Sequence, residues 1–303
     1  MALHELTEDR PTGLRLLRAR IRAAHIPPAG PHNLRLATWN IRRFGEGARL
    51  DASIAMIAAI LRELDLVAIV ELCDDTSDLE RTRHALGPHF GAVFSDYLRD
   101  AAGNRERIGF VFDQRRIRFT GLASNAEGVR KLARGRYVED VPWWRPPFLA
   151  SFRRGPFRFL LVAAHVRWGG TAAARRSELA ALAEWISGRS KERYFGERDV
   201  VVVGDFNVSA LHDDAALQAL TSRGLVTAPG LEAQVTTDLA RNKRYDGIMC
   251  LPQVRTRFTG RAGALDFYDG DHRALFPGRR ITKTAFTFQL SDHLPLWAEL
   301  SVG

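Results

Sequence analysis

Asp199–Ala210 reads DVVVVGDFNVSA, and the chain is best understood outward from it. Val200–Val203 are four consecutive β-branched residues, a short apolar run that predicts a strand buried on both faces. Gly204 ends the run, and Asp205, Phe206 and Asn207 follow at once. A carboxylate and a carboxamide two residues apart, at the end of a rigid strand, can point at one spot. There they can hold a metal or a water and donate to a developing oxyanion. Aspartate and asparagine also favour turns, so on this stretch alone a turn and a site read equally well.

The 303 residues allow one large α/β domain or two smaller ones. The hydrophobic fraction of 46% leaves little room for long disorder. A net charge of +9 points to a polyanionic partner, and the excess is almost all arginine, which suits bidentate phosphate contacts. Between Arg99 and Arg158 there are fourteen basic against six acidic residues. Cys73 and Cys250 are the only cysteines and lack metal-ligand spacing, so they read as buried free thiols of a reducing compartment. Without an apolar leader or a membrane-length run, the expected setting is cytoplasmic, with no membrane contact.

Residues 1–32 read as an N-terminal extension, with 33–303 as the main domain. A basic amphipathic helix is expected from Thr12 to about Ala24, with Leu14, Leu17 and Ile21 on one face and Arg15, Arg18 and Arg22 around it. It could meet nucleic acid or a protein partner, but its leucines are better explained by docking on the main body.

Leu34–Trp39 alternates like a strand and leads to Asn40; a loop over Arg42–Arg49 and a helix over Asp51–Leu64 come next. Leu66–Val70 is a buried strand with Glu71 at its end, a carboxylate costly to bury unless paired or metal-bound. Cys73–Leu86 predicts a helix and Gly91–Tyr97 a strand. Glu106–Asp113 and Arg115–Thr120 predict a hairpin. Val141–Phe148 (VPWWRPPF) is a proline-stiffened loop that could present Trp143 or Trp144 to bases and Arg145 to phosphate, or cover the core edge. Pro147–Phe152 and Phe157–Ala164 predict strands, the second ending at His165. Helices over Ala172–Gly188 and Leu211–Arg223 enclose the Asp205 strand. Tyr245–Cys250 forms a strand with Asp246 at its start, and Asp292 and His293 precede a final strand ending near Leu300. Alternating helices and strands, with some strands paired directly, predict a mixed sheet.

Asn40, Glu71, Glu106, His165, Asp205, Asn207, Asp246, Asp292 and His293 therefore stand at strand ends. Each alone has a dull explanation. Together they supply what metal-assisted phosphodiester cleavage needs: hard oxygens for Mg²⁺, histidines to move protons and amides to hold a phosphate oxygen. No cysteine–histidine zinc set, phosphate-binding P-loop, dinucleotide fingerprint or G-x-S-x-G elbow occurs.

In order, TWNIRRFG, VAIVEL, AAHVRWG, VVVVGDFN, RYDGIM and SDHLPL resemble the endonuclease/exonuclease/phosphatase superfamily over about Leu34–Leu300. The resemblance implies a four-layer α/β sandwich, two mixed β-sheets packed face to face with helices outside. The deoxyribonuclease I-like branch is the most similar. That likeness implies catalytic His165 with Glu106, His293 with Asp246, and a phosphate-gripping Arg145. It also implies Mg²⁺, with Mn²⁺ able to substitute, held by Asn40, Glu71, Asp292 and Asp205, while Asn40 and Asn207 contact the scissile phosphate. The implied activity is hydrolysis of DNA, with little sequence preference, to 5′-phosphate and 3′-hydroxyl ends. RNA, a protein–nucleic-acid adduct or a phospholipid head group are alternative substrates, and a binding module on a nuclease fold is the non-enzyme alternative. The motifs depart from the GDxNxR and CDR patterns of inositol polyphosphate phosphatases and from the tyrosine-bearing loop of abasic-site endonucleases.

Overall fold

Val200–Val203 divide their side chains between two cores. Val201 and Val203 join Leu34, Leu36, Leu66, Phe110, Phe152 and Leu161, whereas Val200 and Val202 join Leu160, Leu179, Leu182 and Ile186. A strand whose side chains alternate between two apolar layers must be apolar throughout, which is why the run carries no polar residue.

The computed structural model describes residues 10–97, 105–140, 143–193, 196–208, 214–232 and 235–303. In chain order the elements are α1 (Arg10–Ala23), β1 (Asn33–Phe44), α2 (Asp51–Leu61), β2 (Leu66–Leu72), α3 (Ser77–Leu86), β3 (Phe90–Phe94), β4 (Arg107–Asp113) and β5 (Arg118–Asn125). Next come β6 (Val129–Ala133), β7 (Arg136–Asp140), β8 (Phe148–Arg154), β9 (Phe157–His165), α4 (Ala172–Lys191), β10 (Val200–Val208) and α5 (Asp214–Thr221). β11 (Val226–Thr227), β12 (Arg244–Cys250), β13 (Phe258–Ala264), α6 (Lys283–Gln289) and β14 (Leu296–Ser301) complete the chain.

One six-stranded sheet has the order β13-β14-β1-β2-β4-β3, the other β11-β12-β10-β9-β8-β5. They pack face to face, and the helices cover the outer faces, giving the expected four layers. Each sheet has a parallel pair at its centre, β1 with β2 and β9 with β10, flanked by antiparallel neighbours. Parallel central strands place the ends of β1, β2, β9 and β10 at one rim of the sandwich, where open α/β sheets keep their ligands.

Several expected elements shift. β4 and β5 do not form a hairpin: β4 pairs with β2 and β3 in one sheet, and β5 pairs with β8 in the other. Phe110 and Phe112 on β4 meet Phe152 on β8 across the inter-sheet core, so the chain crosses between layers after Asp113. The helix expected from Cys73 begins at Ser77, because β2 runs on to Leu72. The start of the helix expected over Leu211–Arg223 and the first two residues of the Val141–Phe148 loop lie outside the described residues. Helix α1 docks as its leucines predict, with Leu17 and Ile21 in the core that backs β1. Both cysteines are free and buried.

Candidate active site

The site grows out of the inter-sheet core. Along each strand, alternate residues face the partner sheet, and at the rim the series turns polar. Leu34 and Leu36 on β1 lead to Asn40, Phe110 and Ile108 on β4 to Glu106, Phe159, Leu161 and Ala163 on β9 to His165. Val201 and Val203 on β10 lead to Asp205, and Cys250 and Ile248 on β12 to Asp246. Five of the residues expected at strand ends therefore meet between the sheets by the period of two alone.

Glu71 arrives differently. Val67 and Ile69 face the outer, helix-covered core, and alternation would send Glu71 there too. Its φ of 62° reverses the backbone instead. Val70 lies in the inter-sheet core, yet Leu72, two residues on, lies in the outer one. The carboxylate swings into the rim, where Oε1 accepts from Asn40 Nδ2 at 2.9 Å and Oε2 from the Arg43 amide at 2.9 Å. A left-handed backbone at a non-glycine residue is sparsely populated and clusters at functional sites. Asn207, at φ 52°, is a second case. Gly204 at φ 136° lets β10 press against β9, since any Cβ there would collide with the Ala164 carbonyl.

Asp205 is the hub. Its Oδ2 accepts from Asn40 Nδ2 across the sheets at 3.0 Å, and Oδ1 accepts from the Asn207 amide at 2.9 Å. The Nε2 atoms of His165 and His293 each lie 3.8 Å from Oδ2. Behind each ring stands a second carboxylate: Asp246 Oδ2 is 2.8 Å from His293 Nδ1, and Glu106 Oε2 is 3.0 Å from His165 Nδ1. The His165–Glu106 contact is close enough for ion pairing but out of line for a well-formed hydrogen bond. Arg145 reaches the same Glu106 oxygen at 3.0 Å. The side chain of Asn207 donates to the Val166 carbonyl at 2.6 Å, bracing the chain just past His165 and leaving its second N–H available. Asp292 stands aside: its side chain is 43% exposed and lies 3.5 Å from Arg42.

Burial and charge set the protonation. Burial raises Asp205 to about 6, the charge of Asp246 adds to this, and the two histidines oppose it. Burial works against a charged His293, but Asp246 and Asp205 outweigh it and lift the ring to about 10. His165 is also raised: burial and Arg145 resist, while Glu106 and Asp205 prevail.

Asn40 Oδ1 and Asp246 Oδ1 are buried without a hydrogen-bond partner. Together with the carboxylates of Glu71 and Asp205 they supply hard oxygen donors of the kind that fits a divalent cation. Asp205, Asp246 and His293 also lie close enough to share an ion. His293 Nδ1 and Asp246 Oδ2 are spent on each other, so the oxygens of Asn40, Glu71 and Asp205 fit a cation better.

Other residues carry no strand-end signal. Ser291 Oγ donates to the Asn40 carbonyl at 2.6 Å and accepts from the His293 amide at 3.0 Å, tying the two sides of the site together. Trp39 Nε1 donates to the His293 carbonyl at 2.9 Å. Buried Glu178 on α4 accepts from the backbone amides of Trp144 and Arg167, at 3.0 and 3.5 Å, anchoring the loops that carry Arg145 and follow His165. Tyr245 lies against the His293 ring, centroids 5.1 Å apart and planes at 30°. Ser291, Trp168 and Tyr245 fall inside the quoted motifs; Glu178 has only helical periodicity around it and could not be singled out.

Two carboxylate-backed histidines around a buried aspartate, at the rim of a two-sheet sandwich, make an arrangement suited to hydrolysing phosphate esters. The chain belongs to the Endonuclease/Exonuclease/phosphatase family, whose model matches residues 37–294. A deoxyribonuclease of Thioalkalivibrio sp. (strain K90mix) is 31% identical over 252 residues, 80% of this chain; the match spans 64% of that relative's length. Among solved structures, an endonuclease/exonuclease/phosphatase from Bacteroides vulgatus matches with a TM-score of 0.58 at 20% identity, over 89% of this chain and 99% of that one. The mannosyl-6-phosphatase of Bacteroides thetaiotaomicron matches with a TM-score of 0.57 at 18% identity, over 88% and 99%. At these identities the structures share the fold. The family is one of nucleases and phosphatases, hence of hydrolases. No helix among the described residues is long and apolar enough to cross a membrane.

Proposed function

We propose that this protein is a divalent-metal-dependent nuclease that hydrolyses DNA phosphodiesters internally, with little sequence preference, leaving 5′-phosphate and 3′-hydroxyl ends. The observation that carries the reading is the placement of both histidine Nε2 atoms 3.8 Å from one Asp205 oxygen, each ring backed by its own carboxylate. One proton taken and one given at a single phosphate needs two such groups facing one point. The 31% identical deoxyribonuclease and the net charge of +9 favour DNA as the polyanion.

Asn40, Glu71 and Asp205 would hold the cation, with Asp292 reaching it through water. Mg²⁺, or Mn²⁺ in its place, supplies charge stabilisation at the phosphoryl oxygens. The rest falls to the chain's own groups. Asp246 fixes the His293 ring so that Nε2 faces the site, where it takes the proton of the attacking water. It can do so only when the charge of Asp205 is compensated, because that charge helps hold the ring protonated. His165, oriented by Glu106, gives a proton to the leaving 3′ oxygen. Arg145 steers the phosphate and pairs with Glu106 behind His165, and the second N–H of Asn207 donates to a phosphoryl oxygen.

Purified protein incubated with supercoiled plasmid, single-stranded DNA, RNA and an inositol phosphate, each with Mg²⁺ or EDTA, tests the proposal. Metal-dependent nicking of plasmid is expected. Turnover of the inositol phosphate alone would replace the reading with a phosphatase, and turnover of RNA alone with a ribonuclease.

A further inference from the structure

The six tryptophans of the chain fall into two groups. Trp39, Trp143 and Trp297 are buried, and Trp185 packs against the α4 core, edge-on to Trp143. Only Trp144 and Trp168 are exposed, at 51% and 58%, and both stand at the rim of the site. Trp144 adjoins Arg145, whose guanidinium bonds the carboxylate behind His165. Trp168 meets Tyr245 edge-on, centroids 5.3 Å apart and planes at 79°, and Tyr245 in turn lies against His293. The two exposed indoles therefore stand on neighbouring loops that share the Glu178 anchor, and Trp168 reaches towards His293 through Tyr245.

Leaving two indoles half in water forgoes burial of large apolar surfaces, and both are held in place. The Trp144 backbone is anchored by Glu178, and the Arg167 guanidinium sits 4.5 Å from its ring centroid. Trp168 is backed by Tyr245, and its carbonyl accepts from Arg175 at 3.1 Å. A fixed, half-exposed ring offers stacking area at little entropic cost. Arginines beside such rings complete a surface suited to a nucleic-acid strand.

We infer that Trp144 and Trp168 are stacking platforms for unpaired bases next to the scissile phosphate, so that the enzyme prefers single-stranded or frayed DNA to intact duplex. In a duplex the base faces are already stacked on their neighbours, and only a strand with free bases can use both indoles. The inference rests on the nuclease reading above and adds the strand state of the substrate.

The test is binding in EDTA, followed by tryptophan fluorescence, of a short oligothymidine and of a blunt hairpin duplex of similar length. The full chain is compared with Trp144→Ala, Trp168→Ala and the corresponding Phe variants. The oligothymidine should quench the wild-type fluorescence. Each Ala variant should bind it roughly 5- to 150-fold more weakly, and each Phe variant should recover most of the loss. Duplex affinity should change little. With Mg²⁺, the loss on single strands should be carried by KM. Unchanged affinity of both Ala variants for oligothymidine, or equal loss on duplex and single strand, would overturn the inference. If such variants come from a wild-type protein that still nicks plasmid, the nuclease reading survives; a wild-type protein that neither binds nor cleaves any nucleic acid removes both.

Discussion

Replacing Asp205 by Asn should strengthen the metal-free fold while destroying its chemistry. Burial and the nearby Asp246 raise Asp205 from 3.8 to about 6, so the folded state resists the charge that the unfolded chain carries freely. The rise corresponds to ~3 kcal/mol of destabilisation at neutral pH. This cost is fully present above about pH 6 and vanishes below 3.8, where the carboxyl is protonated in both states. The carboxamide removes the charge but turns a second N–H group towards Asn40 Nδ2, losing one hydrogen bond worth ~1 kcal/mol. The bond from the Asn207 amide to Oδ1 can persist. The net gain is ~2 kcal/mol, or roughly 3 °C in Tm for a chain of this length. The assay is thermal denaturation in EDTA at pH 7.5 and at pH 3.5, with plasmid nicking in Mg²⁺ alongside. A gain at pH 7.5 that disappears at pH 3.5, with cleavage down at least ~10²-fold, is expected. Loss of stability at pH 7.5, or the same gain at both pH values, would refute the reasoning, since neither fits relief of a buried charge.

Glu71→Gln should leave the fold intact and weaken activation by Mg²⁺ by at least ~10-fold, measured as the metal concentration giving half-maximal nicking; an unchanged midpoint would remove Glu71 from the cation site. His165→Ala and His293→Ala should each lower kcat by ~10²–10⁴-fold, and the double variant should be little worse than the poorer single one. Each single substitution should also erase one limb of a bell-shaped pH profile, and near-normal cleavage by His165→Ala would end its catalytic role. In EDTA, the stability His293 gains from its carboxylates is full below pH 6.5 and lost as pH rises through about 10. The Tm gap between wild type and His293→Gln should therefore narrow over that interval, and a widening gap would contradict the charge assignment. Arg145→Ala should make the log–log salt dependence of DNA binding shallower by about one phosphate, a slope change of ~0.9, with no change expected if Arg145 serves only Glu106.

How much of this could be read from the residues depends on what set each position. The strands of the two central pairs were legible because burial on both faces demands unbroken apolar runs, as in Val200–Val203 and Leu66–Val70. The polar residues ending those runs were legible for the same reason: a carboxylate next to a buried strand needs a partner. Partner choice between strands was not, because β4 alternates equally well against β5 or against β2 and β3, and only cross-sheet packing of Phe110 and Phe112 decides. Likewise Trp143 and Trp144 are adjacent and chemically identical, yet one is core and one rim, because the chain around them turns rather than alternates.

Glu71 shows where pattern reading stops and why that boundary falls at the site. A period of two places Asn40, Glu106, His165, Asp205 and Asp246 correctly but would turn Glu71 towards the helices. The left-handed residue that corrects this costs on the order of 1–3 kcal/mol and is not written in the local sequence, since glutamate has no preference for it. What holds it is long-range: Asn40 Nδ2 on the neighbouring strand and the Arg43 amide each take one carboxylate oxygen. Both pairings of β2 slip register at this point, to β1 and to β4. Asn40 in turn offers the same Nδ2 to Asp205 in the other sheet. The strained residue and the cross-sheet hydrogen bond are thus one device, which draws two carboxylates onto a single amide and leaves its Oδ1 buried and unpartnered. A fold under selection for stability alone would shed that device. The proposed cation site is built on this device.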